Sequence, residues 1–89
     1  MKYKHLIQTM LNNLFRNTLI TLPSMIPLKF IEMTGGRGMT SEVVADNGDS
    51  FIFALQSNGN ETVQVEVRTS KSATEGSEHL RIVDELTVL

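Results

Sequence analysis

The chain contains no cysteine and no tryptophan, and only two prolines. It has no apolar run long enough to cross a bilayer. Without cysteine, neither a disulfide framework nor a cysteine-based structural zinc site can support the fold. At 89 residues the chain predicts one small domain, residues 1–89. A small domain without such staples relies on tight packing or on a partner subunit. A dense Lys/Arg patch of the kind that binds nucleic acid is also missing. The start, Met1-Lys2-Tyr3-Lys4, has the charge of a signal peptide. Gln8, Asn12, Asn13, Arg16 and Asn17 then interrupt any continuous hydrophobic region. The expectation is a cytoplasmic, unprocessed protein.

The formal net charge of −2 hides an asymmetry. Residues 1–40 carry Lys2, Lys4, Arg16, Lys29 and Arg37 against the single carboxylate Glu32. Residues 41–89 carry nine carboxylates against Arg68, Lys71 and Arg81. Halves of opposite sign complement each other within a fold, or steer copies together.

Tyr3, Leu6, Ile7, Met10, Leu11, Leu14, Phe15, Thr18 and Leu19 recur at three- and four-residue steps, which predicts a helix over about 3–21. Its apolar stripe is wider than the roughly 100° that a surface helix needs to sit on one core. Pro23 and Pro27 are expected to end this helix, because proline removes an amide donor and disfavours helical geometry in the residue before it. Leu28–Met33 then reads as a first strand, about 28–33, on the strength of Phe30 and Ile31.

Two Asn-Gly pairs, Asn47-Gly48 and Asn58-Gly59, lie between runs rich in apolar residues. Asn-Gly is the preferred filling of a tight hairpin turn, where both central residues take a positive φ. The pairs therefore predict strands at about 39–46, 50–57 and 61–69. In the last of these, Val63, Val65 and Val67 alternate with polar residues, the pattern of a sheet with one wet face. Ser70–Ser77 reads as a polar connector. Residues 79–89 read as a strand or a short helix, with a short strand at Leu80–Val83, a turn at Asp84-Glu85 and an apolar tail preferred. The expected fold is α+β: an N-terminal amphipathic helix packed on a four- to five-stranded antiparallel meander.

Candidate chemistry is sparse. Gly35-Gly36-Arg37-Gly38 could cradle an anion, but strand-like sequence follows it and not the helix of a dinucleotide fingerprint. Asp46-Asn47-Gly48-Asp49-Ser50 resembles the start of a calcium loop and lacks flanking helices and a closing glutamate. His5 and His79 are isolated from any nucleophile or metal set. The carboxylate pairs, Glu61 with Glu66 and Asp84 with Glu85, have no evident cleft to work across. No catalytic residue, metal or cofactor is expected.

The sequence thus points to a non-enzymatic protein-interaction module, self-associating as a homodimer and binding a further protein. Leu6, Met10, Leu14 and Met25 are the expected contacts, as surplus apolar and Met-rich surface. The alternative is a small nucleic-acid-binding domain. A helix followed by a curved five-stranded sheet resembles the element order of Sm-like barrels, though none of their motif residues is present. On that alternative Arg16, Lys29 and Arg37 contact phosphates.

Overall fold

A computed structural model describes residues 2–69 and 83–89. Two helices precede a four-stranded antiparallel meander: α1 (Lys2–Arg16), a 3-10 turn (Pro23–Met25), α2 (Ile26–Gly35), β1 (Met39–Asp46), β2 (Ser50–Ser57), β3 (Val63–Thr69) and β4 (Val83–Val88). The strands lie in the sheet in chain order. The chain is α+β with an antiparallel meander.

Alternation builds the core. Phe51, Phe53 and Leu55 on β2 stand opposite Val67, Val65 and Val63 on β3, and all six are buried. Ile7 and Leu11 of α1 and Ile26 and Phe30 of α2 belong to the same buried cluster. Phe30 lies flat on Phe53, with ring centroids 3.9 Å apart and planes at 9°. Phe15 closes on Phe30 from α1, tilted, at 6.0 Å.

The expected strand at Leu28–Met33 is instead the middle of α2. A short apolar run does not separate a strand from a buried helix by itself. The prolines decide it. Pro23 opens the 3-10 turn and Pro27 lies in the first turn of α2, where a helix has no use for the missing amide. Ile26, Phe30 and Thr34 are then buried at helical spacing. Thr34 ties this face to the sheet: its hydroxyl donates to the Phe30 carbonyl (2.8 Å) and meets the Ser41 hydroxyl of β1 at 2.8 Å.

Nor do the prolines end α1, which stops at Arg16. Polar side chains end it. The Asn17 amide donates to the Asn13 carbonyl (3.0 Å) and the Thr18 hydroxyl to the Leu14 carbonyl (2.8 Å), occupying acceptors of the last turn.

Both hairpin turns differ from the expected form. Glycine alone takes positive φ, at Gly38, Gly48 and Gly59. Asn47 N–H donates to the Ser50 carbonyl (2.9 Å), so the two central residues are Gly48 and Asp49. Gly48 is the first of the two central residues and the only one of them with positive φ, whereas an Asn-Gly I′ turn takes positive φ at both. Asp46 fixes it by accepting the Gly48 N–H at 3.0 Å. Gly59 is third in a turn closed by Asn60 N–H to the Ser57 carbonyl (3.1 Å), inside a longer connection that delays β3 to Val63.

The C-terminal segment is also corrected. β4 runs through Asp84 and Glu85 without a turn, with Glu85 opposite Arg68. Leu80 to Ile82 lie outside the described residues, as does Ser70–Ser77. Among the described residues there are four strands.

Helical spacing in α2 has a direct test. Phe30→Ala should cost about 3–5 kcal/mol, the usual loss for a fully buried aromatic. Leu28→Ala, two residues away on the exposed side, should stay within about 0.5 kcal/mol. Urea denaturation of the two variants checks this; equal losses would restore the strand pattern.

Candidate functional site

The two faces of the sheet differ. On the face away from the core cluster, cross-strand rows read Glu42–Ala54–Gln64, Ile52–Glu66–Thr87 and Ser50–Arg68–Glu85. Arg68 Nε lies 3.6 Å from Glu66 Oε2. A shallow depression of about 220 Å³ there is lined by Thr40, Glu42, Ala54, Gln56 and Thr62. One carboxylate among neutral polar groups offers neither an acid–base pair nor an anion site.

The sheet edges are blunted. Gln8 of α1 acts on β4 as a single residue of a further strand would: it accepts from Val88 N–H (2.8 Å) and donates to the Leu86 carbonyl (2.7 Å). On the other edge, β1 bulges between Val43 and Ala45 and exposes Glu42 and Asp46. Bulges and edge charges both discourage strand addition.

A second opening, larger than the depression on the sheet, is a cleft of about 570 Å³ between the helices. From α1 it takes Leu6, Thr9, Met10, Asn13 and Leu14, with Asn17 and Thr18 just beyond. From the end of α2 it takes Met33 and, one turn on, Arg37. Those α1 positions follow three- and four-residue steps along one side, next to the buried stripe of Ile7 and Leu11. Thr18 bridges the helices at the cleft floor, its Oγ1 3.0 Å from Met33 Sδ. Arg37 is the one charged residue in the lining, and it has no ion pair among the described residues.

Of the seven residues singled out from sequence, the cleft brings together Leu6, Met10, Leu14 and Arg37. Met25 lies apart in the 3-10 turn, where its sulfur is 3.4 Å from the Thr21 hydroxyl. Arg16 occupies the last turn of α1, where a cation complements the helix carbonyls. Lys29 lies 3.8 Å from Glu32. The glycine segment that suggested an anion cradle follows the C-terminus of α2, with Gly36 N–H already donating to the Glu32 carbonyl (3.0 Å). A helix C-terminus presents carbonyls and partial negative charge, the wrong polarity for a phosphate.

Sequence reasoning missed Met33 and the polar residues Asn13, Asn17 and Thr18. Met33 was hidden by the strand pattern. Pro27 at a helix start, with glycines eight, nine and eleven residues later, was the signal that would have placed Met33 in the last turn of a helix and Arg37 just past its end.

His5 is exposed on α1, and His79 lies outside the described residues. Among the described residues no three His, Asp or Glu side chains cluster, and no helix is long and apolar enough to cross a membrane. No protein-family model, curated protein or solved structure matches the chain.

Gln8→Ala should cost about 1–3 kcal/mol, because it strips Val88 N–H and the Leu86 carbonyl of their partner. It also opens the β4 edge to pairing between chains. Denaturation and light scattering read the two effects, and an unchanged stability would show that Gln8 does not hold this edge.

Proposed function

We propose that the chain is a non-enzymatic protein-interaction module with two contact surfaces on its helical side. One is the exterior of α2 and the connector before it, which pairs with a second copy. The other is the α1–α2 cleft, which receives another protein. In this reading α1 packs on the sheet through Ile7 and Leu11 and keeps its remaining apolar surface for the cleft.

A single observation carries the proposal. Large apolar side chains are left exposed on the helical side: Leu6 at 65%, Leu19 at 71%, Leu22 at 58% and Leu28 at 67%. Scattered exposed leucines are ordinary, but several close together in sequence on one layer mark a contact surface. Leu28 and Ile31 are spaced i, i+3 on the side of α2 opposite Phe30. Lys29 and Glu32 flank them with both signs of charge. Such a patch is self-complementary: a two-fold axis sets the lysine of one copy beside the glutamate of the other. A standard interface buries about 800 Å² per partner, so Leu22, Leu28 and Ile31 form its centre and not its whole extent.

Sedimentation equilibrium over a wide concentration range tests this directly. A reversible dimer is expected, and Leu28→Glu should weaken it at least tenfold by burying an unpaired charge. That substitution is on exposed surface and should leave the monomer's stability within about 0.5 kcal/mol. A wild-type protein that stays monomeric throughout contradicts self-association through α2.

A further inference from the structure

We infer that the occupant of the α1–α2 cleft is an acidic amphipathic helix of another protein. This rests on the interaction function proposed above and names the partner of its second surface.

Shape is the first ground. Leu6, Met10 and Leu14 form a stripe at i, i+4, i+8 on α1, and the lining continues to Asn17. From Leu6 to the end of α1 at Arg16 are eleven residues, which at a rise of ~1.5 Å give roughly three helical turns, the length over which a helix lays its own i, i+3, i+7 anchors into a groove. The methionines, Met10 on one wall and Met33 on the other, suit varied apolar anchors.

Charge selects the sign of the partner. α1 carries Lys2, Lys4 and Arg16 and no carboxylate. Arg37 is the cleft's one charge and is unpaired among the described residues. The cleft's polar side chains are partly engaged internally: Asn17 with the Asn13 carbonyl, and Thr18 with the Leu14 carbonyl. Arg37 is therefore the group left to meet an incoming charge. A second copy entering by the same face would set α1 against α1, cations against cations with no carboxylate on either helix. An acidic helix meets the same apolar stripe without that repulsion and adds a charge-assisted bond to Arg37.

Fluorescence anisotropy with labelled synthetic peptides tests the inference on the full chain. The acidic probe is about three turns long, with leucines at i, i+3 and i+7 and flanking glutamates. The second probe replaces the glutamates with lysines, the third scrambles the acidic sequence, and the fourth is a single-stranded oligonucleotide. The acidic probe should bind, more weakly as salt shortens the Debye length from about 10 Å at 0.1 M to about 3 Å at 1 M. Leu6→Asp should weaken it roughly tenfold. Arg37→Gln should weaken it about two- to fivefold, and Arg37→Glu should turn the preference toward the lysine probe. Both positions are exposed, and circular dichroism verifies that each variant folds. Equal binding of the acidic and lysine probes, binding of the scrambled probe, binding of the oligonucleotide alone, or binding of none overturns the inference. A protein that dimerises and binds no probe loses the acidic partner and keeps pairing through α2. A monomer that binds the acidic probe loses the pairing and keeps the partner.

Discussion

The stack of Phe30 on Phe53 is the contact on which the arrangement of the chain depends. It joins the middle of α2 to the middle of an interior strand, and both rings are fully buried. Offset or stacked aromatic pairs add about 0.5–1.5 kcal/mol beyond their burial. More important is what the contact fixes. With Phe30 facing the sheet, helical geometry sends Ile26 and Thr34 to the same side and Leu28 and Ile31 to the opposite one. The inward residues close the core and the outward ones become surface.

The rest of the molecule arranges itself around that choice. Valines and aromatics of β2 and β3 fill the core side of the sheet, while the other side is polar and carries both signs of charge. Gln8 occupies one sheet edge and a bulge distorts the other. What remains apolar and accessible is concentrated in the helices and their connector. Little of a chain this size is spare once a core is built, since net stability is a few kcal/mol left from much larger opposing terms. Four exposed leucines in the helical layer are the surface that the proposed contacts use.

The meander was legible in the sequence because its signals were strong and local. Period-two alternation at Val63, Val65 and Val67 and glycines between apolar runs left few other arrangements. Helix α1 was legible from its stripe, but its end was not. Asn17 and Thr18 close it by side-chain bonds to carbonyls, a competition that the apolar pattern does not report. Helix α2 was misread for a different reason. Proline is compatible both with the segment after a helix and with the first turn of a new one, through the same preference for φ near −65°. Its meaning depends on which side the helix lies, and Phe30-Ile31 fits either structure. Once α2 is a helix, Met33 and Arg37 stand one turn apart and the cleft acquires its second wall. Half of the candidate site was thus visible as surplus surface on α1, and the other half depended on an element assigned to the wrong class.

The central claim is that α2 is a helix whose Phe30 anchors it to the sheet and whose Leu28 and Ile31 face outward. Nuclear Overhauser spectroscopy of the free protein tests it most directly. The account predicts contacts between the ring protons of Phe30 and Phe53, sequential i, i+3 contacts through Ile26–Gly35, and none from the Leu28 methyls to core-facing side chains of β2 or β3. Cross-strand contacts from Leu28–Met33 to a neighbouring strand, with Leu28 and Phe30 on the same face, would contradict it.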